Sequence, residues 1–277
     1  MDQRWRVYEP CRKLTWRCAL GLFSSPQRSK LYELVRTTNG CRDREDKDMC
    51  GRYVSPDESA IEREFNLVRT EWTFPASFNI APSQKVPVIR NVSGTMQATT
   101  MRWGLVPYFA KGLPGKYNTI NARIESMETS ASFRGPWQRG QRCIIPSAGF
   151  YEWHINIDGS KQPFYVTCAD QPLFGYAGLW DSSKREDGTV IESFTIITLP
   201  ANSLMTEIHN APDKQRMPAI LLSEDRHAWL FGSAGEAFAV LKAYPAELMV
   251  AWPVSTRVNS PKNNAVDLVE AIRAIGS

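Results

Sequence analysis

Cys50, preceded by Met49 and followed by Gly51, Arg52 and Tyr53, carries the most specific latent chemistry in this 277-residue chain. If Met49 initiates translation, the small cysteine behind it permits removal of the methionine and leaves an α-amine and a thiol on one residue. Such a 1,2-aminothiol condenses with an aldehyde to an imine, and the thiol then closes a five-membered thiazolidine far more durable than the imine. The α-amine suits the first step because its ordinary pKa near 8 leaves about a tenth of it neutral at pH 7, a few hundred-fold more than a lysine amine. The competing reading is a small buried cysteine at a domain start.

Asn121 and Arg123 stand two residues apart in Asn118-Thr119-Ile120-Asn121-Ala122-Arg123, so a strand there would point both to one face. A guanidinium so placed clamps a phosphate, and the amide can hold a ring oxygen or a terminal amine. A surface turn with a salt-bridging Arg is the alternative. Gly149-Phe150-Tyr151-Glu152-Trp153 sets a carboxylate between aromatics. Desolvation there would favour its protonated form and suit it to shuttling protons, unless strand alternation turns it to solvent. His209, in Glu207-Ile208-His209-Asn210, is one of three histidines and is either a proton carrier or a structural residue. Trp103-Gly104-Leu105-Val106-Pro107-Tyr108 is a Pro-broken aromatic loop that could stack unpaired bases through Trp103 and Tyr108, or simply cap the core.

Composition bounds these options. The 43% hydrophobic content supports one substantial core, and no apolar run approaches the roughly 18 residues a membrane span needs. The six cysteines, at 11, 18, 41, 50, 143 and 168, form no Cys-x-x-Cys pair and no regular spacing. Neither a zinc site nor a disulfide framework is expected, and with no secretory leader a reducing cytoplasmic location fits best. Residues 1–48 hold 11 of the 33 Lys/Arg and 7 of the 29 Asp/Glu, which leaves 22 of each in the remainder. The net charge of +4 therefore belongs to the leading segment, and any nucleic-acid site must be a local basic patch.

The elements that must position these residues begin at Cys50. Residues 1–48 show no sustained period and are expected to be a leader or a mis-assigned upstream extension, disordered or absent in the mature protein, while 49–277 form one domain. Ser55-Pro56-Asp57-Glu58 reads as a helix start with Ser55 as cap, Pro56 first and Glu58 third. It opens a helix over 56–68 with Ile61, Phe65 and Val68 on one face. Residues 86–91 and 99–103 pair as a hairpin around Ser93-Gly94. Further strands are expected at 143–145, 150–157, 164–168, 173–179 and 191–199, and helices near 200–208, 223–231, 234–242 and 264–274. This order implies an α+β fold built on a curled, largely antiparallel sheet with flanking helices.

Cys50-Gly51-Arg52-Tyr53, Phe78-Asn79-Ile80-Ala81-Pro82, Arg102-Trp103-Gly104-Leu105, Asn121-Ala122-Arg123-Ile124-Glu125, Gly149-Phe150-Tyr151-Glu152-Trp153 and His209 with Arg216-Met217-Pro218 resemble, in order and spacing, the SOS-response-associated peptidase family. Val254-Ser255, Val258-Asn259 and Lys262-Asn263 fit too, so the resemblance runs from Met49 to about residue 270. It implies a β-tunnel or barrel-like fold that binds single-stranded DNA and single-strand/double-strand junctions; a monomer with no cofactor and no metal is expected. It further implies that Cys50, freed of methionine, captures the ring-opened aldehyde of an abasic site as a thiazolidine. By the same resemblance Asn121 positions Cys50 and the sugar, Glu152 shuttles protons, His209 assists ring opening and reversal, and Arg52 and Arg123 contact phosphates. Two other readings stay open: an N-terminal-nucleophile thiol peptidase that cleaves its own Met49–Cys50 bond, and a noncatalytic single-strand DNA module.

Overall fold

The computed structural model describes residues 51–67, 72–113, 119–212 and 215–272, all within one compact unit, Lys47–Ser277. The expectations for residues 1–48, for Cys50 itself and for Val68 lie outside the described residues. In chain order the first strands are β1 (Arg52–Ser55), β2 (Ser77–Ile80), β3 (Lys85–Val92), β4 (Thr95–Trp103), β5 (Asn121–Arg123), β6 (Arg142–Ser147) and β7 (Gly149–Ile155). They continue with β8 (Lys161–Cys168), β9 (Phe174–Lys184), β10 (Val190–Pro200), β11 (Arg216–Pro218), β12 (Ile220–Leu221) and β13 (Met249–Pro253). The α-helices are short: α1 (Glu58–Glu64), α2 (Arg134–Gln138), α3 (Ser203–Ile208), α4 (Asp225–Phe231) and α5 (Ala234–Ala239). None is long and apolar enough to cross a membrane.

The fold is α+β around a closed barrel. β10 pairs with β4, β4 with β3, β3 with β6, β6 with β9, and β9 returns to β10. Four of these five pairings are antiparallel, and only β10–β4 is parallel. Closure removes the free edges of a sheet this curled. β3 and β4 form the expected hairpin around Ser93 and Gly94, whose positive φ values of 51° and 85° match a two-residue turn twisted like its strands. β10 is buried without interruption from Phe194 to Thr198, because barrel and covering elements enclose both its faces.

A second, five-stranded sheet runs β13-β8-β7-β1-β2. The chain steps from barrel to sheet across one residue, Ala148, between β6 and β7. Ser147 Oγ marks the step: it donates toward the Val54 carbonyl at 3.1 Å and lies 3.0 Å from the Tyr176 hydroxyl. Gly149 follows because a Cβ there would lie 2.3 Å from the Tyr165 ring, which crosses that point to donate to the Ala148 carbonyl. Val54, Tyr151, Tyr165, Val254, Val258 and Leu268 form a small core under this sheet, separate from the barrel core.

Several expected bounds change. The cap of α1 is Asp57, whose side chain accepts from Ala60 N–H; Ser55 instead ends β1, and the helix stops at Glu64. Its buried face does carry Ile61 and Phe65. The helix expected over 264–274 is only a 3-10 turn at Val266–Val269. There Ala271 bridges to Val254 and Ile272 N–H donates to the Pro253 carbonyl, so pairing with the end of β13 draws the chain out. The strand expected over 150–157 ends at Ile155, where Asn156–Ser160 turn back with Gly159 at φ 81°.

Candidate active site at the start of the first strand

β1 lies antiparallel to β7 with Arg52 opposite Tyr151 and Tyr53 opposite Phe150. One further step of that register sets Gly51, the residue bonded to Cys50, level with Glu152. Glu152 is only 3% exposed, so alternation points it inward rather than to water. It stands three residues past the Gly149 constriction, which the covering Tyr165 ring holds in place.

His209 is brought to the same strand by its neighbours in sequence. The His154 ring nitrogen Nδ1 lies 3.0 Å from the Glu207 carbonyl. The Asn210 side chain accepts from Ile155 N–H and donates to the Ile155 carbonyl, each at 2.9 Å, like one more rung of a ladder. His209, between Glu207 and Asn210, is therefore fastened alongside the end of β7. It caps α3, is 8% exposed, and its Nδ1 has no hydrogen-bond partner among the described residues. A buried ring nitrogen left unpartnered is uncommon in folded proteins.

Asn121 and Arg123 do lie on a strand. β5 runs parallel to β10, with Ala122 fully buried between a half-buried Asn121 and an exposed Arg123. On the other edge of β10, Arg216 lies in β11. Its guanidinium grips both oxygens of Glu125 at 2.9 and 2.7 Å and the Thr198 carbonyl at 2.7 Å, which ties the end of β5 to β10 and β11.

The hydrogen bonds from Arg216 hold the Glu125 carboxyl below its ordinary range. A carboxylate with a depressed folded-state pKa contributes stability that is complete above the ordinary value of about 4.3 and is lost as pH falls through the depressed value. Glu125→Gln is therefore expected to lower the melting temperature at neutral pH and to flatten its fall between pH 5 and 3. Identical acid profiles for the variant and the parent chain would refute the linkage.

Arg52 is the first residue of β1. It donates to Asn79 Oδ1 at 3.0 Å and to the Val258 and Asn259 carbonyls at 2.7 and 3.1 Å, and burial lowers its pKa from the ordinary value. Much of its donor capacity thus goes to holding the 258–259 turn against β1. Asn79, 1% exposed, joins the Val258, Ser260 and Asn263 carbonyls to the same network. Trp153, next to Glu152, donates to Asn259 Oδ1 at 2.8 Å.

The two aromatic candidates separate. Trp103 is fully buried, stacked on Phe194 with centroids 6.5 Å apart and donating to the Ile120 carbonyl. It is part of the barrel core and cannot offer a face to a base, which corrects the expectation that it stacks DNA. Tyr108 is 60% exposed on a 3-10 turn, beside an exposed Phe109 and under the Arg139 guanidinium. The sequence reading overlooked Asn79, although it lies in the Phe78–Pro82 motif, and Asn210, although it adjoins His209. Their carbonyl and amide partners come from distant segments. No group of three or more potential metal ligands is gathered among the described residues.

Comparison with known proteins places this arrangement. The chain is 37% identical to abasic site processing protein YoqW of Bacillus subtilis over 229 residues, 80% of this chain and 100% of that protein. It is 35% identical to abasic site processing protein YobE of the same organism over 220 residues, 77% of this chain and 98% of that protein. A crystal structure of a protein from Bacteroides thetaiotaomicron superposes with a TM-score of 0.69 at 26% identity, covering 81% of this chain and 100% of that one. The description of the SOS response associated peptidase (SRAP) family matches residues 49–261, a span that holds every described candidate side chain, and the chain belongs to that family.

Proposed function

We propose that this chain processes abasic sites in single-stranded DNA or at single-strand/double-strand junctions by covalent capture at Cys50. The observation that carries this reading is the β1–β7 register: Gly51, bonded to Cys50, stands level with the buried carboxylate of Glu152, and the His209 loop is fastened to the same strand. The names of its relatives, abasic site processing proteins, support the substrate.

The working form begins at Cys50, its α-amine exposed by loss of the preceding residues; the family match that starts at residue 49 supports this boundary. The amine adds to the open-chain sugar aldehyde and expels one water to give an imine. The thiol then adds to the imine carbon while its proton passes to the nitrogen, closing a thiazolidine. Glu152 carries protons for both steps, His209 serves sugar ring opening and reversal, and Asn121 holds the amine and sugar. Arg123 and the remaining donors of Arg52 take phosphates, and Tyr108 stacks an unpaired base.

The chain purified from its native source, weighed intact before and after mixing with an oligonucleotide carrying one abasic site, tests this. A species beginning at Cys50 that gains the oligonucleotide mass less one water is expected. A Cys50 chain that binds the oligonucleotide only in a salt-sensitive manner, with nothing surviving denaturation, would overturn covalent capture in favour of a noncatalytic single-strand module. Time-dependent loss of residues 1–49 from the purified full-length chain would identify self-cleavage as the source of the free amine.

A further inference from the structure

Three polar side chains occupy one face of the β9–β10 ribbon where an apolar core face would be expected. Asp181 is paired across the ribbon with Ser193, and Ser183 lies two residues beyond Asp181. All three are buried, Asp181 at 2% and both serines at 0% exposure. Each accepts a backbone N–H from the single loop that follows β4. Ser193 Oγ takes Val106 N–H at 2.7 Å, Asp181 Oδ2 takes Tyr108 N–H at 2.9 Å, and Ser183 Oγ takes Gly112 N–H at 2.8 Å.

The other Asp181 oxygen accepts from Arg139 Nη2 at 3.0 Å and from Ser182 N–H at 2.9 Å. The Arg139 guanidinium in turn lies 5.1 Å over the Tyr108 ring. Both ends of Tyr108, its backbone amide and its ring, are thus referred to one buried carboxylate. A buried charge is costly unless fully paired, and replacing a buried ion pair as a whole by apolar residues is often neutral for stability. What the charge supplies is orientation. It fixes an aromatic pair, Tyr108 and Phe109, packed edge to face at 5.5 Å and left 60% and 54% exposed.

We propose that Asp181 is a positioning residue for single-strand binding, presetting the Tyr108 ring so that a base stacks on it without first ordering the loop. The inference rests on the reading of Tyr108 as a stacking residue. Asp181→Asn keeps the size of the side chain but can neither neutralise Arg139 nor serve all three donors. It is expected to weaken binding of an unmodified fluorescent single-stranded oligonucleotide about tenfold, within the range that loss of one stacked base produces. It should raise the half-saturating concentration of an abasic oligonucleotide by the same factor and leave the maximal rate of adduct formation unchanged.

In a Tyr108→Ala background Asp181→Asn should cause no further loss. Effects of the two substitutions that multiply, or a fall in maximal rate with half-saturation unchanged, would overturn the inference. So would parent-like binding by Asp181→Asn while Tyr108→Ala weakens it, which would leave the stacking reading intact. Parent-like binding by Tyr108→Ala would instead remove the stacking reading and this inference with it. Ser183→Ala, which removes the Gly112 acceptor without touching a charge, should weaken binding in the same direction and keeps the test open if Asp181→Asn does not fold.

Discussion

Glu152→Gln is expected to slow covalent capture of an abasic oligonucleotide by about 10²- to 10⁴-fold, the usual contribution of a positioned proton carrier, with little change in affinity for an unmodified strand. The amide keeps the shape of the carboxylate and can still accept hydrogen bonds, but it cannot take up and return a proton. Each proposed step moves one: carbinolamine formation, loss of water, and addition of the thiol. Glu152 is buried on β7, level with Gly51, so bulk water cannot readily substitute for it. The measurement is a single-turnover rate read on a denaturing gel, beside anisotropy with the unmodified strand. A rate within threefold of the parent chain would remove Glu152 from the mechanism. A parallel loss of unmodified-strand binding would recast it as a structural residue.

Asn79→Ala is expected to cost about 3 kcal/mol of stability, because a buried polar network that loses its centre leaves several groups desolvated and unpaired. Asn79 Nδ2 serves the Val258, Ser260 and Asn263 carbonyls at 3.1, 3.0 and 2.8 Å, and its Oδ1 accepts from Arg52. Truncation takes one donor from each of those carbonyls and an acceptor from the Arg52 guanidinium next to the start of β1, leaving Val258 only its bond from Arg52 and Ser260 only its bond from Asn263 N–H. Chemical denaturation should show a lowered midpoint at an unchanged slope, and amide exchange should quicken first across residues 258–264. The rate of capture should fall as well, since the same network holds the strand that leads back to Cys50. A stability loss under 1 kcal/mol would mean that water replaces Asn79 at no great cost.

Local chemistry made much of the fold legible. Ser93-Gly94 between two β-rich runs could only be a tight hairpin, and β3 and β4 meet there. The β-branched and apolar run Phe194 to Leu199 is the barrel strand enclosed on both faces. Asn121 and Arg123, two apart, share a strand side because the side-chain period of a strand is two. These features depend on residues close in sequence, so the sequence alone determined them, together with the family that the ordered motifs identify.

Tertiary contacts decided the rest. Trp103 and Tyr108 are five residues apart in one aromatic loop, yet the first is fully buried and the second largely exposed. The closed barrel takes the Trp103 ring between Tyr53 and Phe194, partners from remote strands that no local pattern reveals. The helix expected over 264–274 yields to pairing with the end of β13. Asp181, in a polar run resembling a turn, becomes a buried anchor only because β9 lies beneath the loop after β4. Glu152 meets the start of β1 through a register between segments a hundred residues apart. Periodicity and turn chemistry are written in neighbouring residues; burial and partnership depend on how distant strands close, and there the choice between a core tryptophan and an exposed tyrosine was made.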